Sequence, residues 1–208
     1  MTSAASASDM DDGSGDHADQ RSAPRVTLLI RPAKIATVEG EFVCVIRDVS
    51  STGVSLRLFH APPMGQRASL ETESGQTIAM ERVWASGKDM GFRFLEPIDV
   101  AALVSEESRF PKRKLRLAIE LPVTLLLLGQ EHHAVIHNLS QQGARIECQQ
   151  RIAIDQVVRL RSGSRLEVRA KVRWRRDNNY GLVFEDTFQL TEFAQLAALL
   201  QNPSLAIG

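Results

Sequence analysis

The chain has 208 residues, of which 43% are apolar, 24% charged and 5% aromatic, a composition that suits one large or two small folded domains and excludes a largely disordered protein. Lys and Arg number 25 against 25 Asp and Glu, so the overall balance hides any local field. The longest apolar run, Leu121 to Leu128, is broken by Pro122 and Thr124 and is far shorter than the roughly 20 residues of a membrane-crossing helix.

Residues 1–20 hold five Asp and no Lys or Arg and are expected to form a disordered acidic tail. They lack a basic start followed by an apolar core, so no secretory signal is read and a cytoplasmic location is expected. Cys44 and Cys148 sit in apolar segments rather than at staple spacing, which predicts two buried, inert thiols. Residues 21–108 carry 10 basic and 11 acidic residues and residues 109–187 carry 15 and 8. The basic excess therefore lies in the second half.

Periodicity is mostly that of strands. Phe42, Cys44 and Ile46 alternate with Val43, Val45 and Arg47, and Val54, Leu56 and Leu58 alternate with Ser55 and Arg57 after a turn at Gly53. Further on, Leu166, Val168, Ala170, Val172 and Trp174 alternate with Glu167, Arg169, Lys171, Arg173 and Arg175, which places Trp174 on an apolar face. Turns are marked by Gly65, Gly75, Gly163 and Asn178 with Asn179. Short strands this close together predict an antiparallel barrel or sandwich. Two segments read as helix: Ile98 to Val104, leading into a polar S-E-E-S linker, and Thr187 to Gln201, with Phe193, Leu196, Ala197 and Leu200 on one stripe and Pro203 as a stop.

The chain repeats itself at a shift of 90 residues. D-V-S-S-T-G (Asp48 to Gly53) falls on N-L-S-Q-Q-G (Asn138 to Gly143), Trp84 on Trp174, Gly91 on Gly181 and Phe94 on Phe184. A period this long is too great for a solenoid unit and fits two small domains. The expected boundaries are a tail at 1–20, barrels at 21–98 and 109–186, a helical linker at 99–108, and a C-terminal helix and tail at 187–208.

Each D/N-x-S-x-x-G segment joins two strands and presents a carboxylate or amide, a hydroxyl and a permissive glycine. These groups are ordinary turn chemistry. They also suit a purine edge, since Asp, Asn and Ser oxygens accept hydrogen bonds from ring N–H and amino groups. Upstream of the first copy stands R-S-A-P-R, with Arg21 and Arg25 four apart on a segment that Pro24 keeps out of regular helix. Two guanidiniums there offer planar donor forks to a phosphate or to guanine O6 and N7.

RxxxR, then D-x-S-x-x-G, then a Trp strand and M-G-F-R-F, together resemble the PilZ family over about residues 20–98 and again 109–186. The resemblance implies all-β architecture with minor helix, in two tandem six-stranded antiparallel barrels each followed by a helix. It also implies a receptor for the bacterial second messenger cyclic di-GMP that changes conformation or partner contacts when the ligand binds. Carried over to the first copy, it gives Arg21 and Arg25 to phosphate and guanine, Asp48 and Ser50 to the guanine edge, and Gly53 to the turn.

The second copy keeps Asn138, Ser140 and Gly143 and departs upstream. Counted back from the proline of the first strand, Arg25 lies seven residues before Pro32 and Arg116 six before Pro122. The matching pair is then Lys112 and Arg116 within K-R-K-L-R, with Arg113 as a neighbouring donor and Arg109 with Arg113 as another RxxxR in shifted register. The first domain is expected to bind ligand and the second more weakly.

No nucleophile–base pair, phosphate-cradling glycine loop or metal cluster stands at usable spacing, which argues against an enzyme and against a bound cofactor. In E-H-H-A-V-I-H, His133 and His137 share a strand face but lie about 13 Å apart, too far for one ion. The competing readings are a single-stranded nucleic-acid module, using the row Arg165, Arg169, Lys171, Arg173 and Arg175, and a ligand-free adaptor docking a protein partner. Nucleic acid is disfavoured because Trp174 is expected to face inward and stacking sites need exposed aromatics.

Overall fold

The computed structural model describes residues 26–61, 65–72, 75–104 and 115–206. The expectations placed on the acidic tail, the S-E-E-S linker, Arg21, Arg25, Arg109, Lys112 and Arg113 lie outside those residues.

Six strands form the first unit: β1 (Val26–Thr37), β2 (Gly40–Val49), β3 (Gly53–Leu58), β4 (Arg67–Glu71), β5 (Thr77–Ser86) and β6 (Asp89–Phe94), followed by helix α1 (Val100–Val104). The second repeats the plan with β7 (Arg116–Leu127), β8 (Gln130–Ser140), β9 (Gly143–Cys148), β10 (Val157–Ser162), β11 (Leu166–Arg176) and β12 (Asn179–Phe184), then α2 (Leu190–Gln201). Each set closes into an antiparallel barrel, in the order β1-β2-β3-β6-β5-β4 and its counterpart β7-β8-β9-β12-β11-β10. Closure pairs every strand on both sides and leaves no open sheet edge.

Inward residues of each barrel make its core, with Ile35, Leu56, Leu70, Met80 and Met90 in the first and Leu117, Leu125, Ile136 and Tyr180 in the second, where Phe193 of α2 packs against them. Cys44 and Cys148 are free and buried, and burial pushes both thiols up from their ordinary pKa. Among the described residues no helix is long and apolar enough to cross a membrane.

Two elements depart from simple alternation. Phe42, Val43, Cys44, Val45 and Ile46 are all buried, where period two predicts one wet face. The outer face is covered because Val43 packs into the core cluster of the second barrel, while Ala198 of α2 packs into that of the first. In β11 the ladder to β12 slips by one residue between Val172 and Trp174, a bulge that turns the strand after Val172. Trp174 is 45% exposed, not inward as expected, and Trp84 is 44% exposed beyond the same bulge in β5. The bulge also breaks the basic row: Arg175 pairs with buried Tyr180 in the ladder, whereas Trp174 pairs with Gly181.

The barrels are joined through Glu41. Its Oε1 meets Lys34 Nζ at 3.1 Å and its Oε2 accepts the Ala118 N–H at 2.6 Å, where the β7–β8 ladder is interrupted. Its backbone N–H donates to Gln201 Oε1 at 2.9 Å and its carbonyl accepts from Gln201 Nε2 at 2.7 Å. A side-chain amide thus imitates a strand neighbour and pins the end of α2 to the first barrel. Gly40, at φ +136°, lets this happen, since a Cβ there would stand 2.5 Å from Gln201 Oε1. Lys34 is nearly buried and also pairs with Glu71 at 2.8 Å. Burial works against its charge, and the two carboxylates outweigh burial and raise its pKa.

His60 is 4% exposed beside Phe42. Its Nδ1 must donate to the Ala61 carbonyl at 2.6 Å, which leaves Nε2 an acceptor with no partner among the described residues. Burial lowers its pKa from the ordinary 6.5, with Lys88 adding to the effect. Below that pH the unfolded chain takes up a proton that the folded chain refuses. Stability is therefore held above pH about 6.5 and is lost as pH falls through the folded-state pKa. Urea midpoints measured from pH 7.5 to 5.0 are expected to fall more steeply for the wild type than for His60→Leu, and parallel curves would contradict this.

Candidate functional site

The turn between β2 and β3 is built by its own side chains. Ser50 N–H donates to the Gly53 carbonyl at 2.8 Å and its hydroxyl lies 3.4 Å from the same oxygen. Ser140 repeats this in the second copy, its hydroxyl donating to the Gly143 carbonyl at 3.1 Å. Both serines are buried, so their first task is to close the turn. Gly53 is required by close approach, because a Cβ there would stand 2.6 Å from the Phe92 carbonyl oxygen of β6.

Strand register then lays a row across the outer wall of the first barrel. Asp48 is opposite Ser55, Ser55 opposite Gly91, and Gly91 opposite Trp84. Side chains directly opposite in antiparallel strands stand about 4.5–5.5 Å apart at Cβ, so these groups form one continuous surface. Trp84 lies flat over Gly91, where a Cβ would fall on the indole nitrogen. The half-exposed indole is fixed by the wall itself.

Asp48, Ser50, Ser55, Trp84, Gly91 and Arg93 line a cavity of about 280 Å³ on this wall. Arg93 is exposed and held at 3.2 Å by Glu81, which also faces Arg67 at 3.6 Å. The wall therefore offers a carboxylate, a hydroxyl, an aromatic plane and a guanidinium, the means to grip a flat polar heterocycle by its edge and face. The structure brings Asp48, Ser50 and Gly53 together as the motif implies and adds Trp84, Ser55 and Arg93. The recurrence of Trp and Gly at the same shift was the signal available for Trp84; Arg93 lies within M-G-F-R-F, and Ser55 joins only through register.

Arg21 and Arg25 lie outside the described residues, but the strand they lead into does not. Val26 pairs with Val49 and Thr27 with Asp48, so the chain enters the barrel beside the turn. In the second copy Leu117 pairs with Leu139 and Ala118 with Asn138, as Val26 pairs with Val49 and Thr27 with Asp48, so Arg116, which lies opposite Ser140, stands at the place that Arg25 has in the sequence of the first. Asn138 stands opposite Ala118 and Arg145.

Among the described residues no three His, Cys, Asp or Glu side chains gather to hold a metal ion. His137 Nε2 instead pairs with Glu147 at 3.1 Å. Two members of the basic row are engaged, Arg169 with Glu185 at 3.3 Å and Arg173 with Asp155 at 3.2 Å.

Because nothing but the glycine makes room for the indole, Gly91→Ala is expected to lift Trp84 off the wall. About half of the tryptophan emission should then shift to the red, and an unchanged spectrum would show that the seat does not hold the ring.

The PilZ domain family model matches the chain twice, over residues 19–110 and 106–202. No curated protein matches the chain. Among solved structures it is similar to Borreliella burgdorferi PlzA in complex with c-di-GMP, at 14% identity, covering 83% of this chain and 88% of that one with a TM-score of 0.35. It is also similar to the Bacillus subtilis inhibitor of motility MotI/DgrA, at 13% identity, 86% and 99% coverage and a TM-score of 0.36. A third is Escherichia coli YcgR in complex with c-di-GMP, at 11% identity, 77% and 76% coverage and a TM-score of 0.28. Identities and scores this low carry no argument of their own. On the tandem family matches, which span most of its length, the chain belongs to the PilZ domain family.

Proposed function

We propose that the chain is a cyclic di-GMP receptor whose principal site is the outer wall of the first barrel. The observation that carries this reading is the row Asp48, Ser55, Gly91 and Trp84, laid beside the point where the Arg21–Arg25 leader enters β1. One guanine sits against Trp84, its N1–H and amino group directed at Asp48. Arg21 and Arg25 supply the phosphate contacts that this wall lacks, since Arg93 is held by Glu81.

The size of the cavity supports this division of labour. At about 280 Å³ it lies just under the range of about 300–1,000 Å³ usual for small-molecule pockets. It holds a base rather than a whole dinucleotide, and the leader covers the rest. The role is binding, with Ser50 and Gly53 shaping the turn that presents Asp48.

Signalling follows from the leader. Glu41 and Gln201 fix the barrels to each other, so the ligand changes the surface by drawing the leader onto the first wall, and a protein partner reads that change. Small-angle scattering with and without ligand tests this step, and superimposable curves together with unchanged proteolysis of the leader would remove it.

Each good bidentate arginine contact is worth about 1–3 kcal/mol of discrimination. Arg21→Ala or Arg25→Ala is therefore expected to weaken cyclic di-GMP binding roughly ten- to a hundredfold by titration calorimetry. Asp48→Ala should do the same, and Trp84 emission should be quenched as ligand is added. Unchanged affinity in all three variants would take the site away from this wall.

A further inference from the structure

Across β2, β3, β5 and β6 and their counterparts the two barrels share one backbone register but not one wall. Position for position, Asp48 is replaced by Asn138, Ser55 by Arg145, Glu81 by Lys171, Val83 by Arg173 and Arg93 by Val183, while Trp and its glycine are kept. Of these five positions, the first wall carries one cation and two acids. The second carries three cations and no acid.

Arg145 is the decisive exchange. It stands in the row between Asn138 and Gly181, with the Trp174 indole on the far side of that glycine. It is exposed, and Arg116, also exposed, is nearby at the start of β7, opposite Ser140. Arg173 pairs with Asp155 at the surface, where an ion pair holds weakly, so it adds to the field at little cost. Replacing Asp48 by Asn138 removes the one charge on this row that would repel a phosphate. An arginine fork beside a carboxamide and an indole meets a phosphodiester bidentately, with an amide at the base edge and a ring at the base face.

We infer that the second wall is a second cyclic purine dinucleotide site whose phosphate contact is Arg145, built into β9. The inference rests on the reading of the first wall given above. The turn closed by Ser140 is the same as that closed by Ser50, and the indole keeps its seat on glycine, so the features sized for a purine persist while positive charge is added on the wall itself. The row offers one stacking ring, whereas tracking an extended single strand uses successive aromatic platforms.

The test is calorimetry of the full chain with cyclic di-GMP, using the wild type, Arg145→Ser, which installs the first barrel's residue, and the pair Arg21→Ala with Arg25→Ala. The expected result is two sites in the wild type. Arg145→Ser weakens one of them by tenfold or more, and the leader pair weakens the other and spares the Arg145-dependent one. Arg145→Lys, which keeps charge and loses the fork, should recover affinity only in part. Matching thermal unfolding of Arg145→Ser and wild type shows that the fold is kept. One site abolished by the leader pair and indifferent to Arg145→Ser overturns this inference and leaves the first-wall reading standing; no binding by the wild type overturns both. Two sites both unaffected by Arg145→Ser, while the same change abolishes binding of a mixed-sequence single-stranded DNA oligomer, assign the wall to nucleic acid and also overturn it.

Discussion

An indole resting on a strand position that has no side chain is the constraint from which the site grows. A Cβ on Gly91 or Gly181 has no room beneath the tryptophan, so the ring and the glycine specify each other. The bulges before Trp84 and Trp174 turn both rings outward. Without the extra residue, period two would send each indole into a core already filled by Met90 or Tyr180. What is a packing residue by alternation becomes the floor of a surface site, and Asp48 and Ser55 are brought to its edge because they share the same cross-strand row.

The leader and the inter-barrel joint complete this arrangement from opposite sides. The first strand begins next to the turn that carries Ser50, so the chain enters the barrel at the edge of this wall. The joint lies away from that wall, at Glu41, where Lys34, Ala118 and Gln201 converge on one residue. Breaking it would leave a nearly buried Lys34 with Glu71 alone, a costly state for a desolvated charge. Two barrels joined in this way are a different device from two beads on a string, and on the proposed reading the response to ligand falls at the N-terminal side of the first barrel.

Much of this was readable from residues alone. Duplication at a constant shift, alternating strands, glycine turns and the Asp or Asn–Ser–Gly segment give the barrels and the turn directly. What alternation misplaced has physical causes. Bulges insert one residue and reverse the face of everything after it, so Trp174 was expected inside and stands at the surface. Val43 was expected to be wet and is covered, because a neighbouring barrel is invisible to a strand's own periodicity. Ser55 and Arg145 carry no motif, and M-G-F-R-F includes Arg93 without singling it out; they matter through what lies opposite them, and register is a property of pairs of strands. Exposure of Trp174 also removes the objection that kept nucleic acid from the second barrel, and the single ring on its row, rather than any burial, is what favours a small ligand there.

The claim at the centre is that a guanine lies on the Trp84 indole with its edge toward Asp48. Isotope-edited NMR of the labelled chain with unlabelled cyclic di-GMP tests it most directly. Nuclear Overhauser contacts from the Trp84 ring and the Gly91 amide to the guanine and ribose protons are the predicted result. A bound ligand whose contacts fall only on residues away from the Asp48, Ser55, Gly91 and Trp84 row would contradict it.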